Sequence, residues 1–115
     1  MEIRPREIVY YETSDGKVPF LDWLQSTKGH EIKKAIRERF KRIEQGNLGD
    51  HKHLQNGVFE FRLLGPGIRV YYAEVNDIIL IILWGGGKNT PKDQGRDLAR
   101  AEKYWIDFQE RLDEE

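Results

Sequence analysis

Two arginines, Arg62 and Arg69, interrupt a stretch that is otherwise typical of apolar β-strands, 57-GVFEFRLLGPGIRVYYAEVNDIILIILWGGGK-88. A guanidinium group stays protonated and can donate two parallel hydrogen bonds to phosphate oxygens. Two such groups side by side would bind a phosphodiester and stabilise the negative charge that collects around phosphorus during its cleavage. That chemistry requires the strands to bring both arginines to one face.

The turn residues predict how these strands pair. With Pro66-Gly67 at the centre of a two-residue turn, Arg62 lies opposite Tyr71. Side chains alternate between the two faces of a sheet, so both arginines share a face with Tyr71. A second turn at Asn76-Asp77 positions the last strand. It places Leu80, Ile82 and Trp84 beside the arginines, and Ile79, Ile81 and Leu83 on the opposite, core-forming face. The sequence thus predicts a shallow surface that carries two arginines, a tyrosine and a tryptophan.

Further basic side chains are expected near this surface. A polar loop over residues 48–57 carries Lys52 and His53, and Lys88 follows three glycines that would let the backbone pass close to a ligand. The expected cradle for an RNA phosphate and a stacked base consists of Lys52, His53, Arg62, Arg69, Tyr71, Trp84, Lys88 and Lys92. Within it, the arginines and Lys88 would stabilise charge, and Lys52 or His53 would transfer protons.

Two histidines in the same loop raise the alternative of a metal site. The spacing of His51 and His53 would place both on one face of a strand, but beyond Asp50 no acidic or histidine side chain completes a ligand set. We therefore expect a site that uses no metal and no cofactor.

The surrounding patterns predict an α+β domain in the order β-α-α-β-β-β-α, with the helices on one face of a mainly antiparallel sheet. Residues 6–12 form the expected first strand, and residues 19–25 and 30–45 form two amphipathic helices. A long helix begins after Thr90 as N-cap, with Pro91 at its first position. At 115 residues the chain is expected to form a single domain, 1–115.

Composition narrows the class of protein. Charged residues make up 34% of the chain but the net charge is −1, so the strongly basic balance of many nucleic-acid binders is absent. The charge is uneven, since residues 28–42 carry seven Lys or Arg against two Glu, and residues 102–115 carry six acidic residues against two basic ones. The chain has no cysteine, no apolar leader and no run of membrane-spanning length, which predicts a cytoplasmic protein.

Four segments resemble, in this order, the RelE/ParE superfamily of toxins and in particular its HigB-like branch of addiction-module killer proteins. They are YETSDGKVPFLDWL, RFKRIEQGNLGDHKHLQNGVFEFR, GPGIRVYY and LWGGGKNTPKDQGRDLARAEKYW, and together they cover about residues 8–105. The resemblance implies a RelE-like fold and a metal-independent endoribonuclease that cleaves messenger RNA, typically on the ribosome. It also implies a cognate antitoxin, for which we expect the helix-turn-helix type.

The family motif bears on individual residues too. Lys52 matches the motif's lysine better than His53 does. Several relatives carry a tyrosine or histidine as general acid after the position of Lys88, whereas this chain continues with Asn89, Thr90 and Lys92. The general acid is therefore unassigned by the sequence.

Two other functions fit the same sequence. A ParE-like inhibitor of DNA gyrase would need no catalytic residues, and the clustering of basic side chains on one face argues against it. A subunit without catalytic activity, which binds an antitoxin or RNA, would explain the missing general acid.

Overall fold

The computed structural model describes residues 4–27, 29–63, 67–87 and 91–114. These residues form an α+β domain, as the sequence predicts. Its strands are β1 (Glu7–Tyr10), β2 (His51–Gln55), β3 (Val58–Leu63), β4 (Ile68–Val75) and β5 (Ile79–Gly86). Its helices are α1 (Pro19–Ser26), α2 (His30–Glu44) and α3 (Pro91–Asp113). The predicted N-cap, Thr90, lies outside the described residues.

All five described strands form one sheet in the order β1-β5-β4-β3-β2. The expected antiparallel meander is present in β3, β4 and β5, while β1 pairs with β5 in parallel, so the sheet is mixed. The expectation of a polar loop over residues 48–57 was wrong, because this segment contains β2, which pairs with β3 at the edge of the sheet. Asn56 and Gly57, both with positive φ, form the turn between β2 and β3. Asn-Gly is a strong hairpin signal that the polar composition of this segment masked.

Helices cover both faces of the sheet, so the expectation of helices on one face was wrong. The α1/α2 face buries Phe20, Ile36, Phe40, Ile43, Phe61, Val70, Tyr72, Leu80 and Ile82. The opposite α3 face buries Tyr11, Val58, Tyr71, Ala73, Ile81, Leu83 and Ala101. Every central strand therefore has two apolar faces, which explains why β5 reads as a continuous apolar run rather than an alternating one.

The pairing of β3 with β4 brings the two arginines together more directly than the sequence predicts. Arg62 is the cross-strand partner of Arg69, and the last described pair before the turn is Leu63 with Ile68. Residues 64–67 connect the two strands, and 64–66 lie outside the described residues. The register differs from the expected one by two positions, and a shift of two leaves every side chain on the same face.

The register of β4 and β5 differs from the expected one by one residue, and a shift of one moves side chains to the opposite face. Val75 pairs with Ile79, so the turn contains three residues instead of two. Ile79, Ile81 and Leu83 therefore lie on the α3 face, and Leu80 and Ile82 lie on the α1/α2 face, the reverse of the expectation. A bulge between Tyr71 and Tyr72 then returns Trp84 to the α3 face, opposite Tyr71.

The far end of α3 is fixed to the start of the sheet by a polar contact. The Tyr11 hydroxyl donates to the Asp107 carboxylate at 2.6 Å, and Arg111 donates to the same carboxylate at 3.0 Å. This contact and the apolar stripe of α3 hold the helix across the sheet. In the described part of the chain, none of the three helices is long and apolar enough to cross a membrane.

Candidate functional site

The centre of the candidate site is the arginine pair, Arg62 on β3 and Arg69 on β4. Both contact one carboxylate, that of Glu60, with Arg62 Nε 3.7 Å from Oε2 and Arg69 Nη1 3.6 Å from Oε1. These distances are ion-pair contacts, longer than hydrogen bonds. The arginine side chains are 37% and 30% exposed, although Arg62 Nε itself is buried. The pair therefore presents two neighbouring cations at a surface, held from below by one carboxylate.

Glu60 is the buried part of this arrangement, at 2% exposure. A buried carboxylate is tolerated only when cations or donors compensate for its lost hydration. Because the two arginines supply that compensation, Glu60 also limits where their guanidinium groups can lie. Alternation along β3 places Glu60 on the same face as Arg62, but it does not show that Glu60 contacts both arginines.

A second carboxylate, Asp50, lies beside Arg62 at 3.2 Å and is 35% exposed. Its position is set by Arg39, a largely buried residue of α2 that donates to the backbone carbonyls of Asp50 at 3.2 Å and Arg62 at 2.9 Å. Gly49 allows this contact, because a Cβ there would lie 3.0 Å from the Arg39 guanidinium carbon. Asp50 thus enters the site through a helix contact that strand periodicity does not reveal.

The first turns of α3 close the other side of the site. Arg69 donates to the Gln94 side-chain oxygen at 2.8 Å, and Trp84 Nε1 donates to Asp97 at 3.1 Å. Arg100 lies over the Trp84 ring, 4.5 Å from its centroid. The expectation of a shallow surface was therefore wrong, because the first turns of α3 pack over it.

This cover removes one of the two aromatic side chains from its expected role. Tyr71 is 1% exposed and packs beneath α3, so it cannot stack on a nucleobase. The prediction for Tyr71 was wrong because the amphipathic stripe of α3 shows that the helix packs on a sheet without showing which face it covers. The Trp84 ring is partly buried and has Arg100 over it, and its role in RNA binding stays a prediction.

The structure brings Lys52 to the site and keeps His53 away from it. Lys52 is the cross-strand partner of Glu60 and shares its face, with an exposed side chain. His53 lies on the opposite face, where its ring packs edge-on against Phe59 at 4.8 Å. The expectation that His53 belongs to the catalytic group was therefore wrong, because β2 is a strand and its neighbouring side chains alternate.

The remaining predicted residues do not add to the described site. Lys88 lies outside the described residues. Lys92 is exposed, and in an α-helix it lies roughly 160° around from Gln94, which faces Arg69. In the described ranges, no three His, Cys, Asp or Glu side chains are grouped so as to hold a metal ion.

Two of the three glycines before Lys88 make room for this protein's own side chains. A Cβ on Gly85 would lie 2.4 Å from the Trp23 ring, and a Cβ on Gly86 would lie 2.4 Å from an Asp97 oxygen. Side chains of α1 and α3 therefore occupy the space at these two positions, whereas nothing lies within 4 Å of a Cβ on Gly87.

Tyr71 and Tyr11 make the stability of the fold depend on pH. Burial raises the pKa of Tyr71 to about 12, reinforced by Asp97 and Glu60 and opposed by Arg69. Burial, with the hydrogen bond to Asp107, likewise raises the pKa of Tyr11 to about 12. Both hydroxyls therefore stay protonated at neutral pH, and the Tyr11 hydroxyl donates to Asp107.

Alkaline conditions should destabilise the fold through these two tyrosines. In the unfolded chain a tyrosine ionises near pH 10. The stability that each of these two tyrosines contributes is therefore fully present below pH 10 and is lost as pH rises towards 12. We expect a loss on the order of 2 kcal/mol for each tyrosine by pH 12, measured as the free energy of unfolding in urea between pH 8 and 12. Tyr11→Phe should show a shallower decline than wild type, and equal slopes would contradict the assignment.

No family model matches the chain. An uncharacterized protein of Haemophilus influenzae is 40% identical to it over 83 residues, which are 71% of this chain and 81% of that protein.

Proposed function

The chain belongs to the same family as that Haemophilus influenzae protein, and we propose that it is a metal-independent endoribonuclease of the RelE/ParE type. In this proposal it is the toxin of a toxin–antitoxin pair and cleaves messenger RNA on the ribosome, using the arginine pair and Lys52. The α+β fold and the resemblance of the four sequence segments support the proposal.

One observation carries it: Arg62 and Arg69 are direct cross-strand partners whose guanidinium groups both contact the Glu60 carboxylate. Each guanidinium has five N–H donors, and the contacts with Glu60, Asp50 and Gln94 occupy only some of them. Two adjacent, partly exposed guanidinium groups match the two non-bridging oxygens of a phosphodiester.

The proposed reaction needs only the RNA and these side chains. The 2′-oxygen forms a bond to the neighbouring phosphorus while the bond from phosphorus to the 5′-oxygen breaks. The arginine pair stabilises the charge of the pentacoordinate transition state. We assign Asp50, the partly exposed carboxylate at 3.2 Å from Arg62, as the acceptor of the 2′-hydroxyl proton. Lys52, on the same face, donates a proton to the leaving 5′-oxygen.

The products distinguish this reaction from metal-dependent hydrolysis. We expect cleavage of a messenger RNA, with and without ribosomes, to persist in EDTA and to leave a 2′,3′-cyclic phosphate and a 5′-hydroxyl, because the nucleophile is the RNA's own 2′-hydroxyl. Mass spectrometry of the fragments measures this directly. A substrate with a 2′-deoxy nucleotide at the cleavage position is the matched control and should resist cleavage. Strict dependence on a divalent ion, or cleavage of the deoxy substrate, would overturn the proposal.

A second candidate, a subunit that binds a partner without catalysis, is favoured by one observation. The arginine pair already has acidic neighbours, Glu60 and Asp50, which reduce its attraction for a phosphate. Equilibrium binding of a non-cleavable RNA separates the two candidates. The ribonuclease should bind it through the arginine pair, whereas a subunit that binds only an antitoxin should not.

A further inference from the structure

Trp84 on β5 and Arg100 on α3 form a stack beside the arginine pair, which we call the Arg100–Trp84 stack. The Arg100 guanidinium carbon lies over the Trp84 ring, 4.5 Å from its centroid. Arginine stacks on aromatic faces because the negative face of the ring attracts its charge. The Trp84 side chain is partly buried, whereas Arg100 is exposed. A ligand that reaches this stack therefore meets Arg100 first.

The Trp84 ring is held in one orientation by α3. Its Nε1 donates to Asp97 at 3.1 Å, and the Tyr104 ring lies 6.3 Å away, tilted by 60°. Asp97, Arg100 and Tyr104 follow each other at spacings of three and four residues, so they share one side of the helix. A ring that is already fixed loses little freedom when a ligand binds against the stack.

The charge of Arg100 is not neutralised by an ion pair with a described residue. Arg96, about one turn earlier on α3, pairs with Asp93 at 3.8 Å. Among the described residues, no carboxylate forms such a pair with Arg100, which contacts the Trp84 ring instead. Arg100 therefore presents a cation that remains available to a ligand.

The stack lies on the same side of the sheet as the arginine pair and close to it. Arg69 is opposite Gly86, and Trp84 is opposite Tyr71, two residues or about 7 Å along the strands. The Arg69 and Trp84 side chains both donate to side chains of α3. If the arginine pair holds a phosphate, a base of the same or the next nucleotide lies within reach of the stack.

A flat cationic group at this distance from a phosphate site fits a nucleobase. Unpaired RNA bases stack on guanidinium planes as well as on aromatic rings, and every base has a π-face that can do so. We propose that the Arg100–Trp84 stack binds an unpaired base of the RNA whose phosphodiester is held by the arginine pair. The base contacts Arg100, and Trp84 supports Arg100 from below. This inference rests on the proposed ribonuclease function, because it assigns a second contact to the same substrate.

RNAs that cannot be cleaved provide the probes. We would use fluorescein-labelled hexanucleotides methylated at every 2′-oxygen: one intact, and six that each lack the base at one position. Their Kd for the full chain is measured by fluorescence anisotropy. At one position or two adjacent ones, loss of the base should raise the wild-type Kd at least about fivefold, the lower end of the usual effect of one lost stacking contact.

Variants of the full chain assign this base penalty to a residue. Arg100→Ala should abolish it, and so should Arg100→Lys, because an ammonium group keeps the charge but has no plane on which a base can stack. Arg96→Ala removes an exposed arginine from the same helix and is the matched control, which should keep the penalty. Arg62→Ala should weaken the binding of all seven probes to a similar extent, because it removes a phosphate contact.

Each outcome bears on the stack, on the ribonuclease function or on both. A penalty that is present in wild type and in Arg96→Ala but absent in both Arg100 variants supports the proposal. Probes that require Arg62 but show no penalty dependent on Arg100 would overturn it and leave the ribonuclease function standing. Full retention of the penalty in Arg100→Lys would also overturn it, because charge alone would then explain the contact. If no probe binds below about 1 mM, both the stack and the ribonuclease function are wrong.

Discussion

Arg62→Ala and Arg69→Ala should each lower the rate of RNA cleavage by about 10²–10³-fold, the usual cost of one lost donor to transition-state charge. The two guanidinium groups contact one carboxylate and form one binding surface, so neither can replace the other. The measurement is single-turnover cleavage of a labelled messenger RNA fragment. Because removal of either arginine weakens a shared surface, the double variant should lose less than the product of the two single effects.

Stability must be separated from chemistry in this experiment. Each substitution removes one of two cations from Glu60, which is buried, and should destabilise the fold by about 1–3 kcal/mol. Glu60→Gln added to Arg69→Ala removes the stranded charge. The combined variant should recover much of the stability, measured by urea denaturation, and none of the cleavage rate. Recovery of both would mean that Arg69 acts only by holding the fold together.

Two further variants test the chemistry of the pair. Arg69→Lys keeps the charge but cannot donate two parallel hydrogen bonds, so it should restore only part of the rate. Lys103→Ala removes an exposed cation from α3 and should leave the rate unchanged. If both arginine-to-alanine variants cleave like wild type while folded, the arginine pair is not the site of cleavage.

The arginine pair illustrates why part of the site could be predicted from the sequence. Alternation along a strand decides which side chains share a face, and an error of an even number of residues in a turn leaves that decision intact. The register of β3 and β4 differs from the expected one by two residues, so Arg62 and Arg69 still share a face. For β5 the error was one residue, and the assignment of its first five side chains was reversed.

The rest of the site depends on contacts that no local pattern shows. Asp50 is held by Arg39 from α2, and Gln94 reaches Arg69 from α3. The stripe of apolar residues on α3 predicts a buried helix face, but both faces of this sheet are apolar, so the stripe cannot choose between them. Because α3 packs on the face that carries the arginine pair, it buries Tyr71 and partly covers Trp84, the two residues expected to bind bases.

The second large effect that we expect is a loss of stability when a glycine at the end of β5 is replaced. Gly85→Ala places a methyl group 2.4 Å from the Trp23 ring, closer than any contact a real side chain makes. The ring cannot simply turn aside, because it packs against Phe20 with centroids 5.7 Å apart. Relief therefore requires α1 to move from the sheet. The expected cost is about 1–3 kcal/mol in the free energy of unfolding, measured by urea denaturation followed by tryptophan fluorescence.

The two following glycines are matched controls for this change, because they differ in what a methyl group would meet. At Gly86 the obstacle is the end of the Asp97 side chain, which can rotate away at the cost of its hydrogen bond with Trp84, about 0.5–1.5 kcal/mol. At Gly87 nothing lies within 4 Å, so Gly87→Ala should be neutral or slightly stabilising. The destabilisation should therefore decrease from position 85 to 86 to 87. If Gly85→Ala and Gly87→Ala unfold at the same urea concentration, α1 is not packed on β5 through Trp23.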